Sequence, residues 1–204
     1  MTKPISLWLC TALIVLIAGC STLPSTHTSV EWQQHQQRLN TIKHFKVAGK
    51  LGYISPEERQ NLNFFWQHQP QQSQLRLTTF LGQTVMKLTI TPEQATLIDY
   101  DGNQHRAKDV DQLMWQMTGL NIPVSSLPHW LLGLPQGDES FTLNSQNTLA
   151  TLATQSTSQP WQAKYQLYTD VNGPEFTLPL PSRLTILQGE IKINLQVNQW
   201  TLLP

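Results

Sequence analysis

From Phe45 onward the chain alternates apolar and polar residues with a period of two, and that pattern constrains its fold more than any other feature. Phe45, Val47, Gly49, Leu51 and Tyr53 are separated by mostly polar neighbours, which is the spacing of a half-buried strand. After a turn at SPEER (55–59), Leu62, Phe64 and Trp66 repeat it. QPQQS (70–74) forms the next turn, and further strands are expected at 75–80, 83–90 and 94–100. Leu81-Gly82, Thr91-Pro92 and Asp101-Gly102 mark the turns between them. Short strands at close, even spacing make an antiparallel meander, with no βαβ period.

Helical spacing interrupts this pattern. In DVDQLMWQMTG, Val110, Leu113, Met114 and Met117 share a face, and Gly119 can cap the end. In SSLPHWLLGLP, Ser125 or Ser126 is a candidate N-cap, Pro128 lies in the first turn, and Gly133-Leu134-Pro135 is a stop. Strands resume near 140–144, 148–156 and 161–169, whereas the proline-rich stretch 170–182 suits an irregular edge or polyproline segment. A last hairpin pairs 183–188 with 190–198 around Gly189. Upstream, Glu31 to Ile42 can form a helix with Trp32, His35, Leu39 and Ile42 on one face and Ser29 as its cap; the alternative is an irregular extension of the preceding segment.

The expected fold is therefore α+β: a curved antiparallel sheet whose apolar face is covered by two short helices. If the sheet curls toward a barrel, the space beneath the helices could be a cavity rather than a packed core.

The N-terminus carries an address. Lys3 precedes a mostly apolar run from Ile5 to Ala18, too short for a bilayer span of ~20 residues and suited to a secretory signal peptide. Ile17-Ala18-Gly19-Cys20 resembles the lipobox of bacterial lipoproteins. Small residues fit the peptidase, and the Cys20 thiol takes the diacylglyceryl group. Cleavage after residue 19 leaves 185 residues and one cysteine, so neither a disulfide nor a Cys-based metal site is expected. Several acyl chains on Cys20 would make a firm anchor. In the sorting pathway that the lipobox implies, Ser21 in place of Asp points to the outer membrane, facing the periplasm. Residues 20–30 are read as the lipidated Cys and a flexible tether, and 31–204 as one domain.

Composition narrows the chemistry. Basic and acidic residues number 13 each, which argues against a nucleic-acid partner. Charged residues make up 13% of the chain, about half the ~25% usual in soluble domains; 24 glutamines supply polarity instead. No G-x-S-x-G, P-loop or H-E-x-x-H motif occurs, and the six histidines have no paired helical spacing. Neither an enzyme nor a cofactor is expected. What stands out is apolar: Met114, Trp115, Met117, Trp130, Leu131 and Leu132 lie close in sequence, either as ordinary core or as an adaptable lining for an apolar ligand. Phe80-Leu81-Gly82 places two large apolar residues in a tight turn. Such a tip is either tucked onto the core or presented to a partner or membrane.

These residues resemble the family of outer-membrane lipoprotein receptors LolB. The likeness spans most of the chain. It runs through W-x-x-H-x-x-x at 32–38, Tyr53-Ile54-Ser55, Phe64-Phe65-Trp66-Gln67, the Leu81-Gly82 turn and Thr118-Gly119-Leu120-Asn121-Ile122-Pro123. It continues through Trp130-Leu131-Leu132-Gly133-Leu134-Pro135 and a closing hairpin ending at Trp200. The resemblance implies an unclosed β-barrel lidded by helices around an apolar cavity. It also implies a receptor that takes lipoproteins from the periplasmic carrier LolA and inserts them into the outer membrane. Its expected partners are LolA, the lipidated cargo and outer-membrane phospholipid, and it is expected to act as a monomer. The family's protruding membrane-insertion residue maps onto Leu81, with Phe80 and Gly82 beside it; Phe80 stands where the family often has Pro. Phe64, Trp66, Met114, Met117, Trp130 and Leu131 are the candidate acyl-site residues. The alternative class is a structural lipoprotein that binds a protein partner in an outer-membrane assembly machine. A lipid hydrolase would require a buried nucleophile with a His partner.

Overall fold

The computed structural model describes residues 28–155 and 159–204; the expected signal peptide and Cys20 lie outside them. Strand alternation becomes eleven strands in a single sheet: β1 Phe45–Ile54, β2 Arg59–Gln69, β3 Gln72–Thr78, β4 Thr84–Ile90, β5 Ala95–Ile98, β6 Gln104–Ala107, β7 Ser140–Leu143, β8 Leu149–Ala153, β9 Gln162–Asn172, β10 Thr177–Gln188 and β11 Ile191–Leu202. Their order is β6-β5-β4-β3-β2-β1-β11-β10-β9-β8-β7. Two meanders are thus joined where β1 pairs antiparallel with β11. β6 and β7 remain as edges, so the barrel is unclosed and the fold is α+β, as expected.

Curvature has a local cause. The β1–β11 register shifts between Ala48 and Gly49, a bulge of the kind that bends a sheet. A Cβ at Gly49 would lie 2.0 Å from the Gln196 carbonyl oxygen and 2.8 Å from the Phe64 ring. Only glycine lets the two backbones approach this closely.

The helices are α1 Trp32–Thr41, α2 Val110–Thr118 and α3 Leu127–Leu132. Glu31, not Ser29, caps α1, accepting from the backbone N–H groups of Gln33 (3.0 Å) and Gln34 (2.7 Å). A carboxylate at this position also opposes the positive end of the helix dipole. Asp109 caps α2 through Gln112 N–H at 2.9 Å. Ser126 stands at the N-cap of α3 without a side-chain bond, while Ser125 Oγ donates to Asp111 at 2.6 Å and ties α2 to α3. Both α2 and α3 end at left-handed glycines, Gly119 and Gly133.

The stretch 170–182 departs from its expected irregular course. Pro179 and Pro181 lie within β10, opposite Asp170 and Tyr168 of β9. Pairing of β10 with β11 begins only at Arg183, so the prolines occupy a local edge where no N–H is required. Trp200 Nε1 donates to the Pro181 carbonyl at 3.0 Å. β6 was not signalled, because QHRA has no apolar alternation; Asp99 organises its hairpin by accepting from Asp101 N, Asn103 N and His105 Nε2. Part of the expected tether is fastened to the domain: Thr28 Oγ1 donates to Asp170, and Val30 N–H to the Gln146 carbonyl. His35, expected on one face of this helix with Trp32 and Leu39, is buried there beside Leu39.

Candidate lipid-binding cleft and apolar tip

Inward residues of the sheet and one face each of α2 and α3 enclose a cleft of about 500 Å³, within the ~300–1,000 Å³ range of ligand sites. The sheet supplies Leu51, Leu62, Phe64, Trp66, Leu75, Leu77, Met86, Ile193 and Leu195, and the helical layer supplies Met114, Met117, Ile122, Val124, Leu127 and Leu131. Apart from Glu58, Gln60 and Thr118, the lining is apolar or aromatic. Several polar groups of the lining residues bond to one another or to the protein: Thr118 Oγ1 donates to the Met114 carbonyl at 2.7 Å, Trp66 Nε1 to Ser73 Oγ at 2.6 Å and Gln60 Nε2 to Glu58 Oε2 at 3.0 Å. What the cleft offers a ligand is therefore apolar contact.

Five of the six candidate acyl-site residues (Phe64, Trp66, Met114, Met117 and Leu131) border this cleft. Trp130 does not. It is fully buried, with Nε1 donating to Glu139 Oε1 at 2.8 Å while its carbonyl accepts from Tyr165 Oη at 2.9 Å. Leu127 and Leu131, at i and i+4, face the cleft, while Trp130, about 100° around the helix from Leu131, turns toward Glu139. The lining from β3, β4 and β11 was missed. Alternation marks those residues as inward, but nothing in it separates a cleft wall from a packed contact.

Trp161 Nε1 donates to the Asn121 carbonyl at 2.7 Å and holds the connection between α2 and α3 that contributes Ile122 and Val124. Two half-buried histidines, His68 on β2 and His129 on α3, lie outside the cleft and border a small separate pocket with Lys43 and Phe45. Burial first, then the charges of His129, His44 and Lys43, lower the pKa of His68 to about 4. Burial also lowers that of His129.

The β3–β4 turn settles the alternatives left by its sequence. Gly82 N–H donates to the Thr79 carbonyl at 3.0 Å, and Thr79 N–H to the Gln83 carbonyl at 2.9 Å. Gly82 has φ +87°, a conformation that strains other residues. The closed turn leaves Phe80 85% and Leu81 72% exposed. This tip is presented, not tucked away.

Comparison with known proteins gives this geometry a family. The family model described as "Outer membrane lipoprotein LolB" matches residues 43–200. A Vibrio campbellii protein named outer-membrane lipoprotein LolB is 51% identical over 188 residues, 92% of this chain and 93% of that one. The chain belongs to the LolB family. A LolB from Pectobacterium carotovorum is 38% identical over 192 residues, covering 91% of each chain. Among solved structures, a LolA superfamily protein from Nitrosomonas europaea superposes with a TM-score of 0.52 at 11% identity, over 86% of this chain and 95% of that one. That likeness is one of fold. As a LolB the protein is an outer-membrane lipoprotein with a role in lipoprotein localisation.

Proposed function

We propose that the protein accepts lipoproteins from the soluble carrier LolA, holds their acyl chains in the cleft beneath α2 and α3, and releases them into the outer membrane at the Phe80–Leu81 tip. In this reading residues 1–19 are removed, Cys20 carries the lipid anchor, the chain from residue 31 acts as one monomeric domain, and no cofactor takes part. The supporting observation is the pairing of an apolar cleft with an exposed apolar turn in one small domain. Acyl chains are costly to expose to water, at ~0.8 kcal/mol per CH₂, so transfer runs from one apolar site to another. No nucleotide motif is present in the sequence. Direction then comes from graded affinity, for which ~1.4 kcal/mol gives tenfold. Met114, Met117 and Met86 suit this role because their flexible thioethers adapt to chains of different shape. A cleft of this size supports the receptor reading over the structural-lipoprotein alternative, which a filled interior would favour.

The test is Leu81→Glu. It should leave uptake from the carrier intact and abolish delivery to outer-membrane vesicles. Delivery at the wild-type rate would overturn the role given to the tip.

A further inference from the structure

The 13 basic and 13 acidic residues of this neutral chain are segregated. Nine of the basic residues lie in strands, against a single acid, Asp170. The other acids sit in turns, at helix caps and in connections, except Asp111 in the first turn of α2. Strand residues that line the cleft alternate with neighbours on the opposite face, and the basic residues fall on that outer face. Lys50 pairs with Asn63 and Gln196, and Arg183 pairs with the same Gln196. Arg76 stands directly opposite Lys87, and all four cations are exposed. Like charges placed opposite each other destabilise a strand pair, yet none of the four has an anionic partner among the described residues, where the ion pair found is His105–Asp99.

The tip belongs to the same face. β3 ends at Thr78, which pairs with Asn63, itself the partner of Lys50. The tip therefore leaves the sheet beside Lys50. Phe80 borders an outer groove of about 540 Å³ together with Lys50, Asn63, Arg183 and Gln196.

Building on the reading of the tip as a bilayer contact, we propose that this cationic outer face docks on an anionic phospholipid surface. Lys50, Arg76, Lys87 and Arg183 meet headgroup phosphates while Phe80 and Leu81 enter the acyl region. Cations beside exposed apolar side chains are the pairing that interfacial proteins use, since each part then meets its own layer of the membrane. Seven residues lie between Cys20 and Thr28, a reach of at most ~30 Å, so an anchor at Cys20 keeps the domain close to the bilayer. Glu57, Glu58 and Glu190 sit in the turns at the end of the sheet where β1 finishes and β11 begins. An end-on approach presents these acids first, so charge favours docking by the outer face.

The full lipidated protein with Gln83→Cys, labelled with a polarity-sensitive dye, reports on tip depth through quenching by nitroxide lipids. Vesicles of phosphatidylcholine alone are compared with vesicles containing phosphatidylglycerol. Quenching should be stronger in the anionic vesicles, and raised salt should remove the difference. Lys50→Gln with Arg183→Gln should lower the inserted-to-withdrawn ratio by about twenty-five-fold in anionic vesicles, at about fivefold per cation, and leave it unchanged in neutral ones. Both side chains are exposed, so an unchanged unfolding midpoint verifies the fold. Equal quenching in both lipids, or no response to the double substitution, overturns the cationic face and leaves the tip reading standing. Absence of quenching in either lipid overturns both.

Discussion

Trp66 donates its indole N–H to the Ser73 hydroxyl across the β2–β3 hairpin at 2.6 Å, and the bond is buried. It turns the one polar atom of the indole away from a cleft that is otherwise apolar on this side. Ser73→Ala leaves that N–H without its acceptor, which costs ~1–3 kcal/mol. Urea unfolding should show a lower midpoint with an unchanged slope. Adding Trp66→Phe should recover part of the loss, because both polar partners are then gone.

Trp130 and Met114 separate the structural from the ligand-facing part of the helical layer. Trp130→Phe removes the donor to Glu139 and should lower stability by ~1–3 kcal/mol, with binding of a fluorescent fatty acid unchanged. Met114→Trp projects extra volume into the cleft that Met114 lines. It should weaken fatty-acid binding by about tenfold, on the order of 1.4 kcal/mol, with a much smaller change in melting temperature. Equal effects of the two variants on binding would contradict the assignment of Trp130 to the core.

Gly49 and Gly52 lie three residues apart on β1 and should respond to alanine by very different amounts. At Gly49 the new methyl meets backbone at 2.0 Å, so Gly49→Ala should cost ~3 kcal/mol or more and open the β1–β11 junction. At Gly52 the nearest atom is the Asn61 side-chain oxygen at 3.4 Å, and Gly52→Ala should change stability by less than ~1 kcal/mol. Thermal melting of the two variants distinguishes them.

Stability should fall in acid because of His68. Its folded pKa, lowered to about 4 by burial and then by neighbouring positive charge, lies below the ordinary value of 6.5. Between these values the unfolded chain binds more protons than the folded one. The contribution of neutral His68 is therefore fully present above pH 6.5 and is lost as pH falls toward 4. His129 acts in the same direction. Below about 4 a second loss belongs to Asp99, whose pKa is lowered to about 2, chiefly by its bond to His105. Urea midpoints measured across this range should show the first slope flattened by His68→Gln and the second by His105→Gln.

The strands from β1 to β5, the closing hairpin and both glycine-capped helices were legible in the sequence. Each rests on spacing between near neighbours: period two for strands, i to i+4 for helices, glycine where φ turns positive. The resemblance of Ile17-Ala18-Gly19-Cys20 to a lipobox is local in the same way. Local spacing also misled in part. Prolines at 179 and 181 suit an irregular edge or polyproline segment; they do sit at a local edge, but in regular β10 pairing with β9.

The sequence by itself determined that this chain alternates into an antiparallel sheet, carries two short apolar helices and presents an odd apolar turn at Phe80-Leu81. Only the tertiary structure decided that Leu131 faces the cleft while Trp130 anchors α3 to Glu139. It also decided that the tip stands out in solvent and that Lys50 and Arg183 share one groove with it. The physical reason is the range of the contacts. Periodicity records which side of an element is apolar, whereas a cleft, an exposed tip and a charged face depend on residues brought together from strands far apart in sequence.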